Sequence, residues 1–90
     1  MDERTLEFPD AKGRYRWDQE AVFFVGKDGD KSVPCAISQE ALMDHFEGDE
    51  KDPAKVFRRY RERIEHEARR KYLSGRLESD GLVLITTNDL

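Results

Sequence analysis

Seven cations on one predicted helix are the residues whose type and spacing could do chemistry. Arg58, Arg59, Arg61, Arg63, Arg69, Arg70 and Lys71 project from the faces that an apolar stripe leaves free. On a rigid rod they could track successive phosphates, and each phosphate neutralised would steepen the salt dependence of binding. They could also dock on an acidic protein surface, or simply solvate the helix. Three acids lie among them, and the spacing predicts pairs Glu65–Arg69 and Glu67–Lys71 in the favourable orientation, with Arg58–Glu62 and Arg63–Glu67 reversed. The solvated face is the reading to beat, a protein contact comes next, and nucleic acid third. Tyr60 and Tyr72 belong to the apolar stripe, so neither is expected to stack on bases.

Other constellations carry less. His45 and His66 fall on different predicted helices, and neither has a second His or Cys at ligand spacing. His66 follows Glu62 by four residues, which suits a surface pair. Cys35 could act as a nucleophile lowered by the helix that follows it, but it shares a strand face with Val33 and Ile37 and reads as a packing residue. Ser38 has no nucleophile-elbow context and suits a helix cap. Asp28/Asp30 and Asp49/Asp52 lack the spacing of a calcium loop. Gly26 and Gly29 are too far from a helix start to cradle a phosphate. No metal or cofactor is therefore expected, and an enzyme is the third choice, requiring Cys35 or a carboxylate pair at an interface.

The elements that must position these groups follow from the pattern. Residues 5–8 alternate, then Pro9-Asp10 breaks them, which predicts a short first strand or arm. Residues 12–14 read as a loop, and Tyr15 and Trp17 share a face. Residues 21–25 are apolar throughout and predict a central strand covered on both faces. Asp28-Gly29 predicts a tight hairpin turn into a strand bearing Val33, Cys35 and Ile37, with Pro34 placing it at an edge or bulge. Ser38 caps a short helix ending near Phe46, and the acidic stretch 47–52 reads as a linker. Asp52-Pro53 starts the long basic helix, residues 53–74, whose stripe is Val56, Phe57, Tyr60, Ile64, Ala68 and Tyr72; Gly75 ends it in the left-handed conformation. A last hairpin is expected from residues 76–78 and 82–86.

Composition bounds the rest. Ninety residues make one domain, residues 1–90, with a thin stability margin. Charged residues are 40% of the chain, yet nine aromatics suffice for a core, so a folded domain with a charged surface is expected rather than disorder. One cysteine excludes an intramolecular disulfide. No stretch is long and apolar enough to span a bilayer, and the start of the chain lacks a signal pattern, so no membrane and a cytoplasmic location are expected. The net charge of −4 conceals segregation, because residues 53–76 hold nine Lys/Arg against three Glu.

The order of motifs resembles the small, mostly bacterial family of domain of unknown function 1488. The residues that carry the likeness are Phe8-Pro9, Trp17-Asp18 leading to Ala21-Val22-Phe23-Phe24, and Val33-Pro34-Cys35-Ala36-Ile37-Ser38 with Glu40-Ala41-Leu42. Phe57, Arg61, Ile64, Glu65 and Ala68 follow, then Gly81 to Ile85 and Asp89-Leu90. The likeness spans nearly the whole chain and implies a compact α+β domain, with no activity, cofactor or catalytic residue attached.

The expectation is an α+β domain: an antiparallel sheet of four or five strands, with one short and one long helix packed on one face. The expected role is a non-enzymatic interaction module binding an unknown protein or a second copy through helix 53–74. The alternative is nucleic-acid binding by the same helix.

Overall fold

The computed structural model describes residues 6–9, 13–46 and 52–90. Strands β1 (Arg14–Arg16), β2 (Ala21–Asp28) and β3 (Lys31–Ser38) form an antiparallel meander. The chain then runs through α1 (Gln39–His45), α2 (Pro53–Arg59) and α3 (Arg61–Leu73) before β4 (Val83–Ile85) and a 3₁₀ turn, Thr87–Asp89. The strand order is β1-β2-β3-β4. Beside β3, β4 runs parallel, with Cys35 opposite Val83 and Ile37 opposite Ile85.

The α+β class therefore holds, but the sheet is mixed and not purely antiparallel. A parallel neighbour requires a long crossover, and the three helices between β3 and β4 supply it. The expected hairpin from residues 76–78 does not form. Glu78 donates to Leu82 across a tight turn, but residues 76–80 are exposed and belong to no strand.

Local signals set most boundaries. Ser38 Oγ accepts from the Ala41 amide at 3.1 Å, and Asp52 Oδ1 accepts from Lys55 at 3.1 Å with Pro53 in the first turn. Gly75 takes φ 75°, and Arg76 N–H reaches back to Lys71 C=O while Gly75 N–H reaches Tyr72 C=O. That is the Schellman pairing expected of a left-handed glycine stop. The hairpin turn sits one residue later than expected, at Gly29-Asp30, with Asp28 paired to Lys31. Pro34 is not on an edge strand, since β3 lies between β2 and β4. It is tolerated because β4 begins opposite Cys35, leaving Pro34 beyond that strand's reach.

The long basic helix is two helices. Tyr60 leaves helical geometry at φ −110°, ψ 24°, and no Pro or Gly marks the break. Its cause is tertiary. Helix α2 packs on β1 and β2, whereas α3 packs on β4. A twisted sheet presents those strands at different angles, so a straight rod could not cover both. The Tyr60 ring packs on Phe46 with centroids 5.1 Å apart.

One core joins the helices to one side of the sheet, including Val22, Phe24, Cys35, Ile37, Val83 and Ile85 from the strands and Leu42, Phe57, Ile64 and Ala68 from the helices. The apolar run 21–25 is not covered on both faces: Val22 and Phe24 enter this core, whereas Phe23 is half-buried and Val25 is 42% exposed. The acidic stretch 47–51 and Thr5 lie outside the described residues. Of the expected first strand, residues 6–9 make one antiparallel bridge, Glu7 to Lys27. Leu6 is fully buried against Gly26, where an added Cβ would stand 2.6 Å from Leu6 Cγ. Gly26→Ala is accordingly expected to lower the unfolding free energy by about 1–3 kcal/mol, measured by denaturant titration, because Leu6 cannot retreat without vacating the core.

Candidate functional site

The seven cations do not form a continuous rail. Four point into the molecule's own architecture or pair locally. Arg69 Nε donates to Leu6 C=O at 2.7 Å, and its guanidinium lies 5.2 Å from the centre of the Phe8 ring. Arg61 donates to Phe8 C=O at 3.2 Å and pairs with Glu65, which is buried. Because Glu7 directs its N–H and C=O at Lys27, the carbonyls of Leu6 and Phe8 face the other way, and the two arginines satisfy them. Lys71 performs the same task at the opposite end of the chain, donating to Leu84 C=O on β4 and to Asp89 Oδ2 at 2.8 Å. Arg70 pairs with Glu67 on the surface at 3.1 Å.

None of the four ion pairs expected from helical spacing is present among the described residues. Glu65 pairs with Arg61 rather than Arg69, and Glu67 with Arg70 rather than Lys71. Exposed pairs on a helix contribute only a few tenths of a kcal/mol. Buried backbone carbonyls cost more to leave unpaired, so tertiary acceptors take Arg69 and Lys71.

What remains is a cluster at the α2–α3 break. Arg58, Arg59 and Arg63 are exposed and make no ion pair among the described residues, and they border one shallow recess with Tyr60 and Glu62. Arg59 stacks over the Tyr60 ring at 5.7 Å and Arg63 over the Phe46 ring at 5.2 Å. Each guanidinium thus lies near a ring while its residue stays exposed, where an arginine fork can meet a carboxylate bidentately.

Cys35 is fully buried, and its Sγ contacts Val33 C=O at 3.6 Å. Burial pushes the thiol up to about 12, with a Gly26 backbone hydrogen bond only partly opposing it. The thiol is protonated at neutral pH and shielded from reagents. His45 and His66 are exposed, on α1 and α3 respectively, and among the described residues no three His, Cys, Asp or Glu side chains gather as metal ligands. Tyr72 is buried in the stripe as expected, and its hydroxyl donates to Asp28. Among the described residues no helix is long and apolar enough to cross a membrane.

Sequence reasoning passed over a second recess, bordered by Tyr15, Trp17, Glu20, Glu40, Met43 and Asp44. Trp17 is 79% exposed on the turn between β1 and β2. Glu20 on that turn adopts φ 52°, a left-handed conformation unusual for a side-chain-bearing residue, and its carbonyl accepts from Gln39 at 2.8 Å. The Tyr15 hydroxyl also bonds Gln39, tying the turn to the start of α1. The available signal was Trp17 directly beside a turn, where no core strand could hold it.

Comparison with known proteins agrees with the architecture. The family described as protein of unknown function (DUF1488) matches residues 6–85. A crystal structure of a DUF1488 protein of unknown function from Shewanella loihica PV-4 superposes with a TM-score of 0.80 at 16% identity, covering 94% of this chain and 96% of that one. At that identity the likeness speaks to fold alone. No curated protein matches.

Three outcomes follow from this geometry. Arg61→Ala would strand a buried Glu65 carboxylate and a carbonyl, and should cost about 2–3 kcal/mol in denaturant unfolding. Desolvation raises the Asp89 pKa, but hydrogen bonds from Lys71 and Thr86 and the Lys71 charge outweigh it and hold the carboxyl below its ordinary value. A depressed folded value means the contribution is present above the unfolded pKa, about 3.9, and is lost as pH falls through the folded one. Asp89→Asn should therefore destabilise at neutral pH, and its melting temperature should converge with the parent's at acidic pH. A neutral-pH thiol reagent should label Cys35 only upon denaturation.

Proposed function

We propose that this chain, which belongs to the DUF1488 family of proteins of unknown function, is a non-enzymatic interaction module that docks carboxylate-bearing protein surfaces on Arg58, Arg59 and Arg63. The observation that carries the reading is the division of labour among the seven cations. Arg61, Arg69 and Lys71 are engaged by the fold and Arg70 by Glu67, while these three stand exposed without an ion pair among the described residues. Arginine forks match carboxylates bidentately, and two of the three are pre-oriented on rings, which reduces the entropy lost on binding.

Phosphate recognition is the less favoured use of the same cluster. A duplex or single strand is gripped by a run of cations long enough to displace several counterions, and engagement of Arg61, Arg69, Arg70 and Lys71 leaves only three arginines together, with Lys55 one turn before them. The neighbouring aromatics are occupied, Tyr60 and Phe46 by each other and by the arginines, so no ring there is free to stack a base. The buried and protonated Cys35 supports the non-enzymatic part of the reading.

Fluorescence anisotropy with a labelled Glu/Asp-rich peptide and a labelled oligonucleotide of equal charge tests this. Peptide binding is expected at low salt, weakening as salt rises, with at least a tenfold loss in the Arg58→Glu/Arg59→Glu/Arg63→Glu variant. Tighter binding of the oligonucleotide would transfer the site to nucleic acid. Binding of neither probe at low salt would remove the proposal.

A further inference from the structure

The recess between the β1–β2 turn and the start of α1 joins an uncovered aromatic ring to uncompensated negative charge. Tyr15 pairs with Val22 and packs against the core, whereas Trp17, just beyond β1, is 79% exposed. Glu20 borders the recess from the turn, and Glu40 and Asp44 border it from α1, one helical turn apart. All three acids are exposed, and none makes an ion pair among the described residues. Glu40 accepts from the Thr87 hydroxyl at 3.2 Å, a neutral donor that leaves its charge in place. No Lys or Arg lines the recess among the described residues. Arg16, next to Trp17 in the chain, lies instead over the Phe23 ring at 5.4 Å and beside Asp18 at 3.7 Å.

We infer that this recess binds an arginine side chain presented by a partner protein, its guanidinium lying on the Trp17 ring and its N–H groups donating to the surrounding carboxylates. The inference rests on this recess alone and not on the arginine cluster at the α2–α3 break.

Two independent features point to that occupant. The first is the ring. An indole face attracts cations more strongly than any other aromatic side chain, and this one is open to solvent. The second is the charge around it. Glu40 and Asp44 stand at i and i+4, where like charges repel and weaken the helix, so a cation held there relieves a repulsion already present. A bare ring would suit any apolar partner, and bare acids would be a solvated face. Together they fit a group that is both flat and positive. Guanidinium can stack and fork at once, and it is more weakly hydrated than an ammonium, which matters in a recess this open.

The site is also held in shape before a ligand arrives. The Gln39 amide donates to the Glu20 carbonyl at 2.8 Å, the Glu20 amide to the Trp17 carbonyl at 3.3 Å, and the Tyr15 hydroxyl to the Gln39 side chain. These bonds tie the turn bearing Trp17 and Glu20 to the helix bearing Glu40 and Asp44. Little backbone order is then left to impose on binding.

Trp17 is the only tryptophan in the chain, so its fluorescence reports on this recess directly. The protein is titrated at low salt with an Arg-Gly repeat peptide and with a Lys-Gly peptide of equal length and charge. The arginine peptide should change the emission saturably and bind at least about threefold more tightly than the lysine peptide. With the peptide labelled and binding read by anisotropy, Trp17→Leu should weaken it about two- to fivefold. The Glu20→Gln/Glu40→Gln/Asp44→Asn variant should weaken it about tenfold or more. Both variants alter exposed side chains and should keep the parent circular dichroism and a cooperative melt. The Arg58→Glu/Arg59→Glu/Arg63→Glu variant should still prefer the arginine peptide, and an acidic peptide should leave Trp17 emission unchanged, so the two sites fail separately. Absence of a saturable change at low salt would overturn the inference. So would equal affinity for the two peptides, or arginine binding that survives loss of the ring or of the three carboxylates.

Discussion

Carbonyl groups at the two ends of the chain, satisfied by cations from one helix, are the constraint on which the fold depends. Residues 6–9 touch the sheet by a single bridge at Glu7, too little to hold an extended segment in place. Arg61 and Arg69 complete the job from α3 by donating to the Phe8 and Leu6 carbonyls, and Leu6 fills the space that Gly26 leaves open. At the other end β4 is a three-residue edge strand, and Lys71 holds its Leu84 carbonyl together with Asp89. Neither end could be secured by strand pairing alone. Helix α3 thus acts as a spine to which both ends are fastened, and its cations are spent on this before any partner arrives.

That requirement explains why a strongly basic helix offers so small a basic surface. Arginine carries an apolar stem with a forked head, so it can pack along Phe8 and still reach a carbonyl. Once Arg61, Arg69 and Lys71 are so engaged, free positive charge collects where the helix breaks. The break itself comes from sheet twist, so the same geometry that covers the core exposes the arginine cluster. On the opposite side of the sheet no helix among the described residues covers Val25, and Phe23 lies beneath Arg16. In a chain of 90 residues the helices suffice for one face, and a thin margin of buried area is the consequence.

Much of the local structure was legible. Asp52-Pro53, Ser38 and Gly75 act within a few residues of themselves, through a side-chain oxygen, a missing N–H or a left-handed φ, and each stands where the pattern placed it. The stripe from Val56 to Tyr72 was legible for a related reason: helical periodicity survives a one-residue break, because the turn at Tyr60 still passes hydrogen bonds from Val56 and on to Ile64. The candidate site was legible only as a list of cations. Which of them were available depended on carbonyls more than fifty residues away in sequence, and helical spacing contains nothing about those acceptors.

By itself, the amino-acid sequence determined the α+β class, the hairpin β2–β3, the helix starts at Ser38 and Asp52-Pro53, the stop at Gly75, and the burial of Cys35, because short-range sterics and strand alternation act without reference to the rest of the chain. Tertiary structure alone decided that β4 lies parallel to β3, that the basic helix divides at Tyr60, and which three arginines remain exposed. These are outcomes of fitting helices to a twisted sheet and of satisfying backbone groups at the chain ends. Both are long-range demands, met only when every element is in place.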